Sequence, residues 1–221
     1  MDRRRALYLL LGLFALVSVL LVWSFIYRDT NTFETGKPPN LPTTPVEPPT
    51  LPDIRSTDPA RGSADKNAVV ITEFADFSCL YCRASEPEIQ TVLLENKDVR
   101  QVWRDMPVVS ESPTGMLAAS AGRCAGEQGH FWEMHDALMS STKLDSDTIN
   151  QLAKNIGLNA ANFADCLASG KHVASIQQDI EIARDHNLTG APTFFIGKTV
   201  LTGYVTAADL RWAILKARLG Q

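Results

Sequence analysis

The sequence predicts an α/β domain, built as one sheet with helices on both faces and a block of helices inserted between the strands. From residue 67 onward the hydrophobic pattern runs in the order β, α, β, several helices, β, β, α. One helix separates the first two strands, as in a parallel pair, and only a turn separates the last two. A chain of 221 residues, 45% hydrophobic and 21% charged, suits one such domain with appendages.

The first half of this domain carries the clearest local signals. Residues 68–77, AVVITEFADF, are a β-branched run that predicts a buried strand. A helix is expected from Cys79 to about Glu95, with Ser78 as its N-cap. Residues 99–104 alternate in polarity and predict a second strand.

The second half of the domain is predicted to be mostly helical. A helical insertion is expected over about residues 112–186, punctuated by glycines. Strand character returns at residues 193–196, a turn falls at 197–198, and a second strand follows at 199–201. The last predicted element is a helix over about residues 207–218. The whole domain is assigned to residues 67–221.

The N-terminal region predicts a membrane anchor. Residues 6–27 carry no charge, and at 1.5 Å per residue they would extend about 33 Å, enough to cross a bilayer core. Three arginines lie within residues 1–5, so the positive-inside rule places that end in the cytoplasm and the domain outside. A cleaved signal peptide is the alternative, although its apolar region is usually shorter. Either interpretation exports the domain.

Residues 28–66 are predicted to be a linker. Seven prolines lie between Lys37 and Pro52, and hydrophobic periodicity is lost. Proline-rich chain is semi-extended, which favours a spacer that holds the domain away from the membrane. A proline-motif ligand for a partner module is the alternative.

The charge balance argues against nucleic acid as a partner. The chain has a formal net charge of −4, and residues 67–221 contain 13 Lys or Arg against 18 Asp or Glu. A nucleic-acid-binding domain would be expected to carry a basic excess instead.

The motif with the most chemical content is Cys79-Leu80-Tyr81-Cys82, placed between a strand and a helix. A thiolate attacks disulfides, and the unpaired N–H groups of a helix start stabilise negative charge on Cys79. Cys82 follows about one turn later, so the two can form a disulfide. Half of a zinc site and a purely structural disulfide are the alternatives. Zinc requires two more ligands, and His130 and His135 are five residues apart, which does not place them on one helical face.

The other two cysteines, Cys124 and Cys166, both fall in the helical insertion, 42 residues apart. In an exported domain they predict a structural disulfide. Two buried free thiols or a second redox pair are the alternatives.

Three segments together resemble the DsbA-like branch of the thioredoxin superfamily. They are the strand-CxxC-helix unit, the sequence GEQGHFWEMH at residues 126–135, and the sequence GAPTFFIG at residues 190–197. The resemblance covers about residues 66–219. It implies a thioredoxin-like fold and a thiol-disulfide oxidoreductase activity. We expect no cofactor and no metal.

The resemblance also implies roles for individual residues. Pro192 would be a cis-proline that faces the cysteines, and Ala191 before it would contact the substrate backbone. A cis X-Pro bond is a minority state, so an ordinary trans turn is the alternative. Leu80 and Tyr81 would complete the substrate-contacting surface.

Glu73, six residues before Cys79, matches a buried acid that assists proton transfer in the family. A charge in an apolar strand is costly unless it is paired or functional. A solvated carboxylate at a sheet edge is the alternative, and Asp76 is a weaker candidate for the same task. Phe131, Trp132 and His135 are interpreted as helix-packing residues.

Strongly oxidising family members carry Pro-His between the cysteines, where this chain has Leu80-Tyr81. We therefore expect a milder oxidant. The first functional hypothesis is an enzyme that forms disulfides in exported proteins and is reoxidised by a membrane partner. A membrane-tethered reductase or isomerase is the second, and a peptide-binding module with a structural CxxC is the third. The chain is expected to be a monomer in the bacterial cytoplasmic membrane, with its catalytic domain on the extracytoplasmic side.

Overall fold

A computed structural model describes residues 52–107 and 113–221, together with Leu20 and Trp23, both of which are helical. Within that part of the chain, no helix is both long and apolar enough to cross a membrane. Apart from Leu20 and Trp23, the predicted anchor at residues 6–27 lies outside the described residues, as do residues 1–5 and most of the predicted linker.

The described strands are β1 (Ala60–Gly62), β2 (Val69–Ala75), β3 (Val99–Asp105), β4 (Thr193–Ile196) and β5 (Thr199–Thr202). They form one five-stranded sheet in the order β1-β3-β2-β4-β5. Strands β2 and β3 are parallel, and every other neighbouring pair is antiparallel. This confirms the predicted parallel pair and the predicted C-terminal hairpin.

Seven helices complete the described part of the domain. One crosses between the parallel strands, five form the block between β3 and β4, and one follows the hairpin. They are α1 (Leu80–Glu95), α2 (Pro113–Gly126), α3 (Phe131–Ser140), α4 (Ser146–Asn155), α5 (Ala160–Ser169), α6 (Val173–Asp185) and α7 (Ala207–Arg218).

The sheet is covered on both faces because its inner strands are apolar on both sides. One core joins Ile71 and Phe194 of the sheet to apolar side chains of α1 and α7. The other joins Phe74 and Trp103 to the helical block. A parallel strand pair buried on both faces requires this arrangement.

The linker prediction is wrong at its C-terminal end. Residues 60–62 form edge strand β1, which pairs antiparallel with β3. Just before it, Arg55 and Asp58 form an ion pair, and both also engage buried side chains of the domain. A three-residue edge strand and ion pairs leave no hydrophobic periodicity, which explains why the sequence pattern missed them.

Candidate active site

The two cysteines of the CxxC motif lie where β2 ends and α1 begins. The N-cap of α1 is Cys79, not Ser78 as predicted, and its Sγ accepts the backbone N–H of Cys82 at 3.4 Å. Ser78 instead donates to the Asp76 carboxylate, while the Asp76 carbonyl accepts the N–H of Cys79. Asp76 therefore shapes the turn into the helix. This turn presents the sulfur of Cys79 to the unpaired N–H groups of the helix start.

The two sulfurs are free thiols with very different proton affinities. A hydrogen bond from the Cys82 thiol, together with backbone N–H groups of Cys82 and Tyr81, lowers the pKa of Cys79 to about 6. Burial raises the pKa of Cys82 far above its ordinary value, and its hydrogen bond to Cys79 raises it further. Cys79 is therefore the thiol that ionises more readily, and Cys82 needs a proton acceptor before it can react.

A loop before β4 forms the opposite wall of the site. The Ala191-Pro192 peptide bond is cis, and the thiol of Cys79 donates to the carbonyl oxygen of Ala191 at 3.4 Å. The structure thus brings Ala191 and Pro192 to the cysteines across 112 residues of sequence. Leu80 and Tyr81 are 75% and 60% exposed beside them. Cys79 is reached from this surface, while Cys82 is fully buried.

Glu73 lies on β2 with no exposed surface, which excludes the solvated edge carboxylate. Its Oε2 accepts a hydrogen bond of 2.6 Å from Nε2 of Gln101 on β3. Burial, reinforced by the charge of Glu86, raises the pKa of Glu73 to about 8. The negative charge of Glu73 contributes in turn to the raised pKa of Cys82. A carboxyl group with a pKa near 8 can accept or return a proton under ordinary conditions.

A buried polar cluster that the sequence did not predict extends from Glu73. The buried side chain of Glu86 on α1 lies with Oε1 3.4 Å from Nε2 of His135 on α3. Nδ1 of His135 is 2.8 Å from a carboxylate oxygen of Asp136. Burial lowers the pKa of His135, but its bonds to Asp136 and Glu86 outweigh burial, so the net shift is upward.

The packing interpretation of His135 is correct but incomplete. Its ring lies edge-on to Trp103 and Trp132, with centroid distances of 4.7 and 4.8 Å, and its nitrogens serve the polar cluster. Glu86 had a usable signal, because it lies four residues after Cys82 and therefore on the same helical face. For His135, which arrives from a different helix, only the tertiary structure reveals the contact.

Within residues 52–107 and 113–221, two groups of side chains bring potential metal ligands together. Ligand atoms of Glu86, His135 and Asp136 lie within 4.8 Å of one another, but both carboxylates already bind the guanidinium of Arg61. The second group combines His172 with two cysteines whose sulfurs are joined in a disulfide, which removes them as thiolate ligands.

That disulfide joins Cys124 of α2 to Cys166 of α5, with their Cα atoms 5.8 Å apart. It is the pairing expected from the sequence. Both residues are buried against the apolar core of the helical block, so the disulfide ties two helices of the insertion together.

Comparisons with known proteins show which family and fold the chain is similar to. A sequence model described as thioredoxin matches residues 55–216. The chain resembles a thioredoxin-like oxidoreductase from Silicibacter pomeroyi DSS-3, with a TM-score of 0.69 and 27% identity over 76% of this chain and 95% of that one. It shares its fold with the thiol-disulfide exchange protein alpha-DsbA2 from Wolbachia pipientis. That TM-score is 0.66, at 23% identity over 73% and 87% of the two chains.

A CxxC pair held in this way on an α/β fold defines the class of thiol-disulfide oxidoreductases. The chain belongs to the thioredoxin family, and its fold is DsbA-like. It is also 36% identical over 150 residues to the Na(+)/H(+) antiporter NhaA 3 of Salinispora tropica. That match covers 67% of this chain but only 23% of the antiporter, so the chain spans about a quarter of that relative's length.

Proposed function

We propose that this oxidoreductase forms disulfides in exported proteins, with Cys79 as the nucleophile and Cys82 as its partner. The observation that carries the proposal is the Cys79 sulfur, whose pKa is lowered to about 6 and which faces the Ala191 carbonyl. A stable thiolate favours the reduced enzyme and so makes its disulfide a better oxidant. Reference values are about 7 for thioredoxin and about 3.5 for the strong oxidant DsbA.

In the proposed reaction, a substrate thiolate attacks Cys79 in the enzyme disulfide. A bond forms between the substrate sulfur and Cys79, the bond between Cys79 and Cys82 breaks, and Cys82 leaves with the electron pair and takes up a proton. A second substrate thiolate then attacks the substrate sulfur, which releases Cys79 as a thiolate. The substrate has lost two electrons and the enzyme has gained them.

The substrate would lie across the exposed side chains of Leu80 and Tyr81, with its backbone near Ala191 and Pro192. Their exposure beside an otherwise buried cysteine supports this assignment. Glu73 would act as the proton donor and acceptor for Cys82, as its raised pKa and burial suggest.

We further propose that the enzyme works outside the cytoplasm of a bacterium, anchored in the cytoplasmic membrane by residues 6–27. A disulfide between Cys124 and Cys166 persists most readily in an oxidising compartment, which supports export. The electrons would pass to a membrane-bound partner protein that carries a reducible disulfide. The similarity to part of an antiporter is compatible with a location at the membrane. We do not extend the antiport activity to this chain, because the match covers only 23% of the antiporter.

A reductase or isomerase is the second candidate, and a specific observation favours it. The pKa of Cys79, about 6, is closer to the thioredoxin value than to the DsbA value. Leu80-Tyr81 also lacks a histidine that would stabilise the thiolate further.

The equilibrium reduction potential of the Cys79-Cys82 pair in the full chain, measured against glutathione, separates these candidates. We expect a value between those of thioredoxin, about −270 mV, and DsbA, about −120 mV, because the pKa of Cys79 lies between the pKa values of those two enzymes. A value at or below that of thioredoxin would favour the reductase. Cys79→Ser should abolish exchange. If that variant retained the biological activity, the peptide-binding module would be the better account.

A further inference from the structure

The most distinctive feature behind the active site is Arg61, which lies on β1 in the segment predicted to be linker. Its side chain is only 17% exposed, and its guanidinium carbon lies 4.2 Å from the ring centroid of Trp132. Three guanidinium nitrogens donate to three different partners, at 2.7 Å to Gln101, 2.8 Å to Asp136 and 2.9 Å to Glu86. A partly buried arginine with this many directed bonds holds its partners in fixed orientations.

Two of these partners, Gln101 and Glu86, connect Arg61 to Glu73. Gln101 does so through hydrogen bonds, and Glu86 does so through its charge. Gln101 lies directly opposite Arg61 in the pairing of β1 with β3, and its other end donates to Glu73. An amide has one acceptor end and one donor end. Because Arg61 binds the acceptor end of Gln101, the donor end must point at the carboxylate of Glu73.

We infer that Arg61 is a positioning residue for the exchange reaction, fixing the carboxyl group of Glu73 behind Cys82. It acts through two intermediaries, Gln101 and Glu86. The inference rests on the proposed function, because it assigns a task within the reaction of the CxxC pair.

The groups that act on Glu73 come from four elements. Glu86 and the Cys82 thiol belong to α1, His135 to α3, Arg61 to β1, and uncharged Gln101 to β3. Of these, Glu86 raises the pKa of Glu73, while His135, Gln101 and Arg61 lower it. Arg61 lowers the pKa of Glu73 in two ways. Its own charge lowers it directly, and its 2.9 Å ion pair with Glu86 offsets the negative charge that raises it.

Unpartnered atoms mark where the proton can move. Among the described residues, Oε1 of Glu73 is buried and has no hydrogen-bond partner, while Oε1 of Glu86 and Nε2 of His135 face each other at 3.4 Å. Arg61 holds the opposite oxygen of Glu86 and, through Gln101, the opposite oxygen of Glu73. Oε1 of Glu73 is therefore free to take or give a proton, and Oε1 of Glu86 is directed at His135.

The step that depends on this arrangement is the closing of the enzyme disulfide. When Cys79 is joined to glutathione, the sulfur of Cys82 attacks Cys79, and the bond to glutathione breaks. Glutathione leaves as a thiolate with the electron pair, and the proton of Cys82 passes to the carboxylate of Glu73. The rate should rise with pH as Glu73 loses its own proton, with a midpoint near 8.

The test mixes the reduced full chain with glutathione disulfide at a series of pH values. The closing of the Cys79-Cys82 disulfide is followed by rapid quenching and mass spectrometry, in the wild type and in Arg61→Met. Arg100→Met is the matched control, because Arg100 ties the same N-terminal segment to β3 but donates to the main-chain carbonyls of Ser63 and Asp65. Glu73→Gln identifies the midpoint, which should disappear in that variant.

We expect Arg61→Met to raise the midpoint by about one pH unit, so that closing at pH 7 slows by about tenfold. Arg61→Lys, which keeps the charge but not the three directed bonds, should give an intermediate midpoint. Arg100→Met should match the wild type. If Arg61→Met does not fold, Arg61→Lys and Gln101→Leu decide the question, since both should also raise the midpoint.

The two ideas fail in different ways. A wild-type protein that forms no mixed disulfide with glutathione would overturn the proposed function itself. A wild type that closes its disulfide with a Glu73-dependent midpoint, shared unchanged by the Arg61 variants, would overturn only the role of Arg61.

Discussion

The two cysteine pairs of this chain are almost equally buried, yet only one is built for reaction. Cys79 and Cys82 are 7% and 0% exposed, and Cys124 and Cys166 are 1% and 5% exposed. The first pair carries free thiols at a helix start, whereas the second is a disulfide between two helices of the insertion. Exposure therefore does not distinguish a reactive cysteine from a structural one here.

What distinguishes the pairs is the polar surroundings of each sulfur. Cys79 receives hydrogen bonds from the start of α1, and Cys82 has the buried acid Glu73 near it. All four cysteines pack in the same apolar core, but the sulfurs of Cys124 and Cys166 are joined to each other and carry no thiol that could ionise. The comparison teaches that donors and acceptors, placed by the fold, create reactivity in a buried thiol.

The largest effect is expected from removing Cys79, the proposed nucleophile. Cys79→Ser should reduce exchange with a dithiol peptide to the uncatalysed rate, because no other free sulfur in the motif has a lowered pKa. Cys82→Ser should instead accumulate a stable mixed disulfide through Cys79, visible by mass spectrometry. Exchange that survived in Cys79→Ser would break the distinction between the two pairs.

Removal of the second pair should affect stability alone. The double variant Cys124→Ala/Cys166→Ala opens a loop with a sequence separation of 42 residues and should lose about 4 kcal/mol of unfolding free energy in urea. Its exchange rate at a temperature where it remains folded should stay within about twofold of the wild type. A comparable loss of exchange would mean that the second pair takes part in the redox cycle.

The buried acid gives a pH signature with a definite sign. Because folding raises the pKa of Glu73 from 4.5 to about 8, the folded protein holds a proton that the unfolded chain releases in that window. The contribution of Glu73 to the unfolding free energy is therefore fully present below pH 4.5. It declines by about 1.4 kcal/mol per pH unit up to about pH 8. Glu73→Gln should remove this decline from the unfolding free energy.

Glu95→Gln is the control for that measurement. Its hydrogen bond to Arg211 lowers the pKa of exposed Glu95, so its titration lies below the window. Between pH 5 and 8, the unfolding free energy of Glu95→Gln should therefore change with pH as steeply as that of the wild type. A wild-type slope that persisted in Glu73→Gln would show that another group causes it.

The dipeptide between the cysteines should have the smallest effect. The double variant Leu80→Pro/Tyr81→His introduces a histidine beside the thiolate and should make the pair more oxidising, by roughly 30 mV or more. The potential of Cys79-Cys82 against glutathione measures this. A shift toward a more reducing value would contradict the idea that thiolate stabilisation sets the potential.

Much of the fold could be predicted because its elements are periodic. The strands around Ile71 and Phe194 and the helix after Cys79 each bury an apolar face, and sequence patterns report that directly. The short strand at residues 60–62 could not be found in this way. It is held by backbone pairing at a sheet edge and by the side chain of Arg61, neither of which leaves a hydrophobic pattern.

The residues of the candidate site also fall into those that the local sequence reveals and those that it does not. Cys79 and Cys82 were evident from the motif, and Glu73 from a charge in an apolar strand. Pro192 came only from family resemblance, because a cis X-Pro bond is a minority state that local sequence does not reveal. The cluster around His135 unites side chains of several elements, so only their packing brings it together.

The most direct test of the account is a pH titration of the thiolate absorbance of the reduced full chain near 240 nm. The Cys124-Cys166 disulfide does not contribute, so only the CxxC pair can titrate. The account predicts one titration with a pKa near 6 that is absent in Cys79→Ser and shifted upward in Cys82→Ser, which loses the thiol donor. A wild-type absorbance that rises only above pH 8 would contradict the claim that the helix start activates Cys79.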